Sequence, residues 1–373
     1  MRFQASELPG PPPEGFLELP QRVYQSDPQW IPEDPQAVIH AFSLENGWFA
    51  NGRAAAWCVP GSARLAVFLP AGLVVSGRPA AFFGFFEQAG GGDAASLLAQ
   101  AEAWARAAGV ELLIGPVDFS TAHRYRLRLS AEAGAETFLG EPYNPPHYPA
   151  LLEAAGYHIV RRYLSQVGAY RQAPGEHKQA VHAGVLAAGY RFEPTAESDW
   201  LDHLAQFKAL TDTIFAGNFG FTAEPLATYE RGSRAAARRF CPRTSLLVRA
   251  PGGELVGFVT VYPQYARLVT QAAGAARISA SDISYTQHWQ RLERLGERTM
   301  VIRTIGVHPA HRSRGLMDAL ITELAKRARP HYDRWIGALI EESNRSRRFG
   351  DALSDQQRSY ALVAKELRPD GGA

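Results

Sequence analysis

The chain predicts an α/β fold with an α+β mixed sheet, carried by two similar domains in tandem. Three observations predict it. The 373 residues suffice for two domains of ~100–200 residues each. Hydrophobic residues make up 46% of them, which allows a sizeable core and argues against disorder. One order of elements (hairpin, strand, helix, strand, helix, strand) also occurs twice, although the residues of the two runs barely match. A polar linker, RQAPGEHKQA, separates the runs. The expected domains are therefore residues 1–175 and 176–373.

The Pro-rich opening, LPGPPPEGFLELPQRVYQSDPQWIPEDP, cannot hold a long helix and allows one short turn in FLELPQRVY. ARLAVFLPAGLVVSGRPAAFFGFFEQ reads as strands, with Val67, Leu69, Phe82, Phe83, Phe85 and Phe86 set between Gly and Pro punctuation. In GGGDAASLLAQAEAWARAAG, Leu97, Leu98, Ala101 and Trp104 have helical spacing. Asp93 stands at the N-cap position and Gly109 closes the helix. VELLIGPV is a short buried strand, and PPHYPALLEAAGYHIVRRYLSQVGAYRQ is a helix, a Gly stop and a long strand.

The pattern then restarts. AAGYRFEP is a strand; ESDWLDHLAQFKALTDTIFA and EPLATYERGSRAAARRF are helices. SLLVRAPGGELVGFVTVYP is a hairpin around Pro251-Gly252-Gly253. After an insertion over about residues 264–298 come strand TMVIRTIGV, helix GLMDALITELAKRAR, strand RWIGALI, helix ESNRSRRFGDAL and strand RSYALVAKEL.

A net charge of +2 argues against a protein that coats nucleic acid. Of the 39 basic residues only Lys178, Lys208, Lys326 and Lys365 are lysine; the Arg excess supplies planar forks suited to phosphates and carboxylates. Cys58 and Cys241 lie far apart and form neither a disulfide framework nor a metal-ligand pattern, so a reducing cytoplasm is expected. No apolar run approaches ~18 residues, so no membrane span is expected.

The stretch VHPAHRSRGLMDAL carries the most chemistry. Val307 ends a strand and Pro309 stops its ladder. Arg312-Ser313-Arg314-Gly315 makes a turn, and Leu316, Met317, Leu320, Ile321 and Leu324 form a helical stripe. Free N–H groups and the dipole at a helix start favour an anion such as a pyrophosphate. Arg-rich turns before helices are common, so the turn alone does not decide. His308 and His311 lack acidic or Cys partners nearby, and no metal is expected.

In its setting, TIGVHPAHRSRGLMDALITELAKRA resembles the acyl-CoA loop of the GCN5-related N-acetyltransferase (GNAT) superfamily, of the form [QR]-x-x-G-x-[GA] after a strand ending V-x-P. Here it runs Arg312-x-x-Gly315-x-Met317, with Met in place of a small residue. IGALIEESNRSRRFGDAL resembles the strand, Asn (Asn344) and helix that follow. Two positions depart from the family. Asp351 stands where a Tyr general acid is usual, and Arg303 and Thr304 stand where many members carry a Glu. The N-terminal half is similar to bacterial tandem GNAT-like proteins through FLELPQRVYQSDPQWIP, FFGFFEQ, AEAWARAAGVELLIGPVDFST and YNPPHYPALLEAAGYHIVRRYLSQV; GNFGFTAEP in the second half fits the same group. The first half lacks the Arg-x-x-Gly turn. It has Ala89-Gly90-Gly91-Gly92-Asp93, where the Asp competes with a phosphate for the same donors, so this half is expected to shape the substrate cleft.

The resemblance implies two tandem GNAT-like domains and acetyl-CoA or another acyl-CoA as cofactor. The backbone of Ile305 and Val307 would pair with the pantetheine arm, the turn Arg312, Ser313, Arg314, Gly315, Leu316 and Met317 would hold the pyrophosphate, and Asn344 would hold the arm or a water. Transfer to an amine or hydroxyl of a small metabolite is the expected reaction. Candidate assisting groups are Glu341 or Glu342 as base and Tyr360 as acid. Tyr143, Asn144, His147 and Tyr148 line the cleft or pack a helix start; Asn218, Phe219 and Phe221 close over substrate or cap a helix. Two alternatives keep the fold. One takes an aminoacyl group from tRNA, with RGSRAAARRF and RSRR against the RNA backbone; the other is a binding protein without catalysis.

Overall fold

The structure is a computed structural model that describes residues 3–90, 92–130, 135–171, 173–270, 277–351 and 353–367. It begins with strand β1 (Gln4–Leu8), helices α1 (Leu19–Val23) and α2 (Pro35–Ala41), and strands β2 (Gly52–Val59), β3 (Ala63–Pro70), β4 (Val74–Val75) and β5 (Arg78–Gln88). Strands β1, β2, β3 and β5 form an antiparallel run. Helix α3 (Asp93–Ala107) leads to β6 (Leu112–Gly115), which is parallel to β5. The N-cap of α3 is Gly92, in the left-handed region at φ 81°, and Asp93 is the first helical residue; Gly supplies that conformation without a Cβ penalty. Strand β7 (Leu127–Ser130), helix α4 (Tyr148–Ala154) and strand β8 (His158–Ala169) complete this half.

The second half begins with α5 (Glu176–Ala187), β9 (Arg191–Pro194), α6 (Glu197–Asp202), α7 (Leu204–Phe215), α8 (Leu226–Ala237), β10 (Leu246–Arg249) and β11 (Leu255–Pro263). The helix expected across residues 197–216 breaks at His203, whose ring nitrogen lies 3.0 Å from the Asp199 carbonyl. A side chain there takes the place of the helical backbone bond. Short helix α9 (Ala266–Val269) and α10 (Tyr285–Arg294) occupy the insertion. Strand β12 (Thr299–Val307), helix α11 (Leu316–Ala328), strand β13 (Arg334–Glu341), one-turn helix α12 (Arg348–Asp351) and strand β14 (Ser354–Glu366) follow. The expected last helix is thus a 3-10 turn plus a single turn. Gly350 lies so close to the Gln166 side chain that a Cβ would meet its oxygen at 2.1 Å, which ties this segment to β8.

All fourteen strands join one sheet, in the order β1-β2-β3-β5-β6-β14-β8-β13-β12-β11-β10-β9, with β4 on β5 and β7 on β14. The last strand of each half lies among the other's strands: β14 pairs with β6, and β8 pairs with β13. The two halves therefore share one backbone ladder, with the linker between β8 and α5 outside it.

Alternate residues point to opposite faces. On one face a single apolar core runs through both halves, from Phe68 and Phe82 through Tyr163 and Tyr360 to Val301 and Ile336. On the other, α3 and α4 cover the first half through Leu97, Leu98, Ala101 and Leu152, and α5 and α11 cover the second through Val185, Leu316, Leu320 and Leu324. Fully burying a Leu-sized side chain contributes roughly 1.5–3 kcal/mol, so these stripes hold the helices down. Cys58 and Cys241 are buried free thiols. Among the described residues no helix is long and apolar enough to cross a membrane, and no cluster of three or more His, Cys, Asp or Glu fits a metal ion.

Candidate active site at the splayed strands of the C-terminal half

Strands β12 and β13 run parallel and pair only over Thr299–Ile302 and Arg334–Gly337. Beyond that they part. A bulge drives the parting: Thr260 of β11 faces Thr304, Val261 faces Ile302, and Arg303 is the unmatched extra residue. On the other side, β13 shifts register against β8 between Gly337 and Ile340, with Leu339 at φ 60°. The gap is visible in burial. Ile302, Arg303, Thr304 and Ile305 are partly exposed although β12 is an interior strand.

The ladder fixes which backbone groups face the gap. The His308 N–H donates to the Val256 carbonyl of β11. Antiparallel pairing alternates, so Gly306 and Thr304 also face β11, while Ile305 and Val307 face away. The Val307 carbonyl accordingly accepts a 3.0 Å hydrogen bond from Arg312 Nε. Ile305 N–H and C=O and Val307 N–H are left as the edge of a strand without a neighbour, the groups an extended amide-bearing arm would pair with.

The chain then makes a 3-10 turn over Pro309–Arg314 and enters α11 through Gly315, in the left-handed region at φ 70°. A Cβ on Gly315 would come within 2.8 Å of Val181 Cγ1 on α5, so the position favours Gly on both conformation and space. Arg312, Ser313 and Arg314 are exposed, and Arg314 Nη1 donates to the Tyr190 hydroxyl at 3.2 Å. The Tyr190 hydroxyl also lies 2.8 Å from His311 Nδ1. Leu316 is buried in the core beneath, and Met317 packs partly buried against the same core; both bring backbone rather than side chains to the turn. The unpaired edge and the free N–H groups at the start of α11 fit a pantetheine arm and a pyrophosphate.

The other expected site residues are dispersed. Asn344 is exposed, and its Oδ1 accepts from the Ser346 N–H at 3.1 Å, closing a turn. Glu342 is exposed, and its N–H donates to the Arg162 carbonyl. Glu341, one residue earlier, is partly buried, 3.6 Å from Arg161 Nε. Tyr360 is fully buried and donates to Glu141, and burial followed by that carboxylate pushes its pKa well above the ordinary Tyr value. Asp351, at the usual Tyr place, accepts from Gln166 Nε2 at 2.8 Å. Phe219 lies under the Arg161 guanidinium at 4.2 Å, and Gly220 packs on Phe82 and Thr121, so the loop after α7 bridges the halves.

Tyr143, Asn144 and Tyr148 belong to the N-terminal half. Tyr143 donates to Asp27 at 2.6 Å, and Asn144 ties Arg128 to its own loop. Tyr148 lies in a splay of the first half, because β5 and β6 also part after Phe82 and Ile114. There the edge is filled. The Phe83 carbonyl accepts from Val117 N–H at 2.7 Å, Phe85 N–H donates to Asp118 Oδ1 at 2.8 Å, and Gln88 N–H donates to the Tyr148 hydroxyl. Gly84 has Val117 O and Asp118 Oδ1 at 2.4 Å from where a Cβ would stand. Tyr24 and Tyr148 both donate to buried Glu87, whose carboxyl burial raises to about 7. Burial would also raise Glu33, but Arg64 and Arg124 hold it at about 2.

The sequence reading did not assign a role to Arg126, Tyr125 and Tyr163, which stand at the diverging end of β13. The Arg126 guanidinium lies 3.6 Å from the Tyr125 ring centroid and 4.2 Å from that of Tyr163, and Nη2 donates to the Leu339 carbonyl at 3.3 Å. No periodic signal in RYRLRL marks the central Arg.

The Acetyltransferase (GNAT) family matches residues 218–349, which span β10 to β13 with the turn and α11. The whole chain has the fold of tandem GNAT proteins. Solved structures agree over the whole length. It is similar to a tandem GNAT protein from the clavulanic acid biosynthesis pathway at 15% identity, covering 99% of this chain and 100% of that one, with a TM-score of 0.54. A probable N-acyltransferase from Enterococcus faecalis V583 gives 10% identity, 99% and 74% coverage and a TM-score of 0.54. A GCN5-related N-acetyltransferase from Anabaena variabilis ATCC 29413 gives 12%, 98% and 73%, and 0.53. No curated protein matches significantly.

Proposed function

We propose that this tandem GNAT-like protein is an acyltransferase that takes an acyl group from acetyl-CoA or another acyl-CoA and passes it to an amine or hydroxyl of a small metabolite. The observation that carries the reading is the open edge of β12 leading into Gly315 and the start of α11. Ile305 and Val307 would hold the pantetheine arm, and the backbone of residues 312–317, with the charge of Arg314, would hold the pyrophosphate. When bound, such a cofactor supplies an acyl group as a thioester, reactive toward amines and hydroxyls.

The chain's own contribution is positioning. The splay directs the arm toward the Tyr125, Tyr163 and Arg126 cluster, and the bridging loop with Phe219 restricts water there. Glu341, on the diverging part of β13, is the carboxylate suited to take the proton an amine releases.

Calorimetric titration of the full chain with CoA and acetyl-CoA tests the reading. One molecule per chain is expected, with binding lost in Gly315→Trp. Absence of binding, or equal binding by that variant, overturns it. Transfer that required charged tRNA and vanished with ribonuclease would replace the donor.

A further inference from the structure

The opening where β12 and β13 part is bordered by two cations that pair with no carboxylate among the described residues. Arg126 is 8% exposed, and its Nε is buried with no hydrogen-bond partner. Its Nη2 is spent on neutral acceptors, the Leu339 carbonyl and the Tyr125 hydroxyl. Arg303, the bulge residue of β12, is partly exposed and makes no hydrogen bond or ion pair among the described residues. Arg303 stands where the bulge parts β12 from β13, and Arg126 reaches the Leu339 carbonyl on the diverging part of β13, so both border the same opening; burial, with a smaller contribution from Arg303, lowers the Arg126 pKa from its ordinary value.

The two other arginines buried as deeply among the described residues are neutralised. Arg64 pairs with Glu33 at 2.7 Å, and Arg358 with Glu141 at 2.7 Å. A buried cation left unpaired is costly, and a second cation beside it adds to the cost. The Arg126 guanidinium stands over the rings of Tyr125 and Tyr163, which are perpendicular to each other, and its Nε–H is the in-plane donor left without a partner. A guanidinium addressed in its plane matches the planar fork of a carboxylate.

We propose that Arg126 and Arg303 form a subsite for a carboxylate on the acyl acceptor, so that the acceptor is an amino-acid-like molecule bearing an amine or hydroxyl near an anionic group. The inference rests on the acyl-transfer reading and names its substrate class. The carboxylate supplies the missing counter-charge at the point where β12 and β13 part, and its amine or hydroxyl then lies toward the unpaired edge of Ile305.

The test uses the full chain and product-like probes, a panel of N-acetyl-amino acids and their amides. Binding is followed by calorimetry in the wild type, Arg126→Met and Arg303→Met, with circular dichroism to confirm folding. The best acid is expected to bind at least about tenfold more tightly than its amide, the range of a charge-assisted pair. That preference is expected to disappear in each folded variant while CoA affinity stays unchanged. Arg303 is partly exposed, so its variant serves should Arg126→Met fail to fold. Equal binding of acid and amide, no binding of either, or a preference that survives Arg303→Met overturns the proposal. Inorganic phosphate binding more tightly than every carboxylate also overturns it. Because CoA binding is measured separately, its loss counts against the acyl-transfer reading and leaves the carboxylate preference readable.

Discussion

The two halves build the same strand–helix–strand splay and use it differently. In the first, β5 and β6 part after three paired residues, and the loop Val117–Phe119 with Tyr148 occupies every edge group it reaches. In the second, β12 and β13 part after four, and among the described residues only the Arg312 side chain meets the edge. β5 is buried from Ala80 to Gln88, whereas β12 is partly exposed from Ile302 to Ile305. A shared fold therefore does not leave two open edges; which groups stay unpaired depends on the loops that reach them.

The sharpest way to break this comparison is to treat the helix-start glycines alike. Gly315→Trp is expected to lower CoA affinity at least about a hundredfold, roughly 2.7 kcal/mol, whereas Gly92→Trp leaves it unchanged. Calorimetry decides, and equal losses would mean that both halves bind. Both glycines have positive φ, so each variant also loses some stability.

A pH effect of similar size belongs to the closed half. Glu87 has its carboxyl raised from 4.5 to about 7 by burial. The folded protein then binds more protons than the unfolded chain between those values, so stability is fully present below about 4.5 and falls as pH rises through 7. The loss from this group is about 3 kcal/mol. Urea unfolding across that range is expected to show it, and Glu87→Gln to remove it; an unchanged slope in the variant contradicts the assignment.

Tyr148→Phe strips the hydroxyl that serves Gln88 N–H and Glu87, and is expected to cost about 1–3 kcal/mol without altering CoA binding. A rise to two CoA per chain would show that the hydroxyl is what keeps the first splay closed. The smallest effect is expected at Glu342, which is exposed. Glu342→Gln is expected to change stability by no more than about 0.5 kcal/mol and transfer rates not measurably; a large rate loss would move the base from Glu341 to Glu342.

The second half was the more legible. Its hairpin Pro251–Gly253, the turn Arg312–Gly315 and the stripe Leu316–Leu324 are local patterns, and each forms where the spacing puts it. Strands β1, β2 and β7 escaped the reading. β1 is five residues in a Pro-rich setting, β2 is an Ala-rich run without alternation, and β7 is only four residues, LRLS. Tyr360 looked available as an acid and instead donates to Glu141, 219 residues earlier, which Arg358 also pairs with. Such pairing leaves no periodic trace.

The sequence by itself determined the tandem order of elements, the left-handed glycine before α11 and the unusual residues around it, because capping, turn chemistry and periodicity act within a few residues. Only the tertiary structure decided that β14 and β8 cross between halves, that one splay is filled and the other open, and that Arg126 and Arg303 both border that opening. Those outcomes depend on which distant groups satisfy an exposed edge or a buried charge, and no local spacing records the choice.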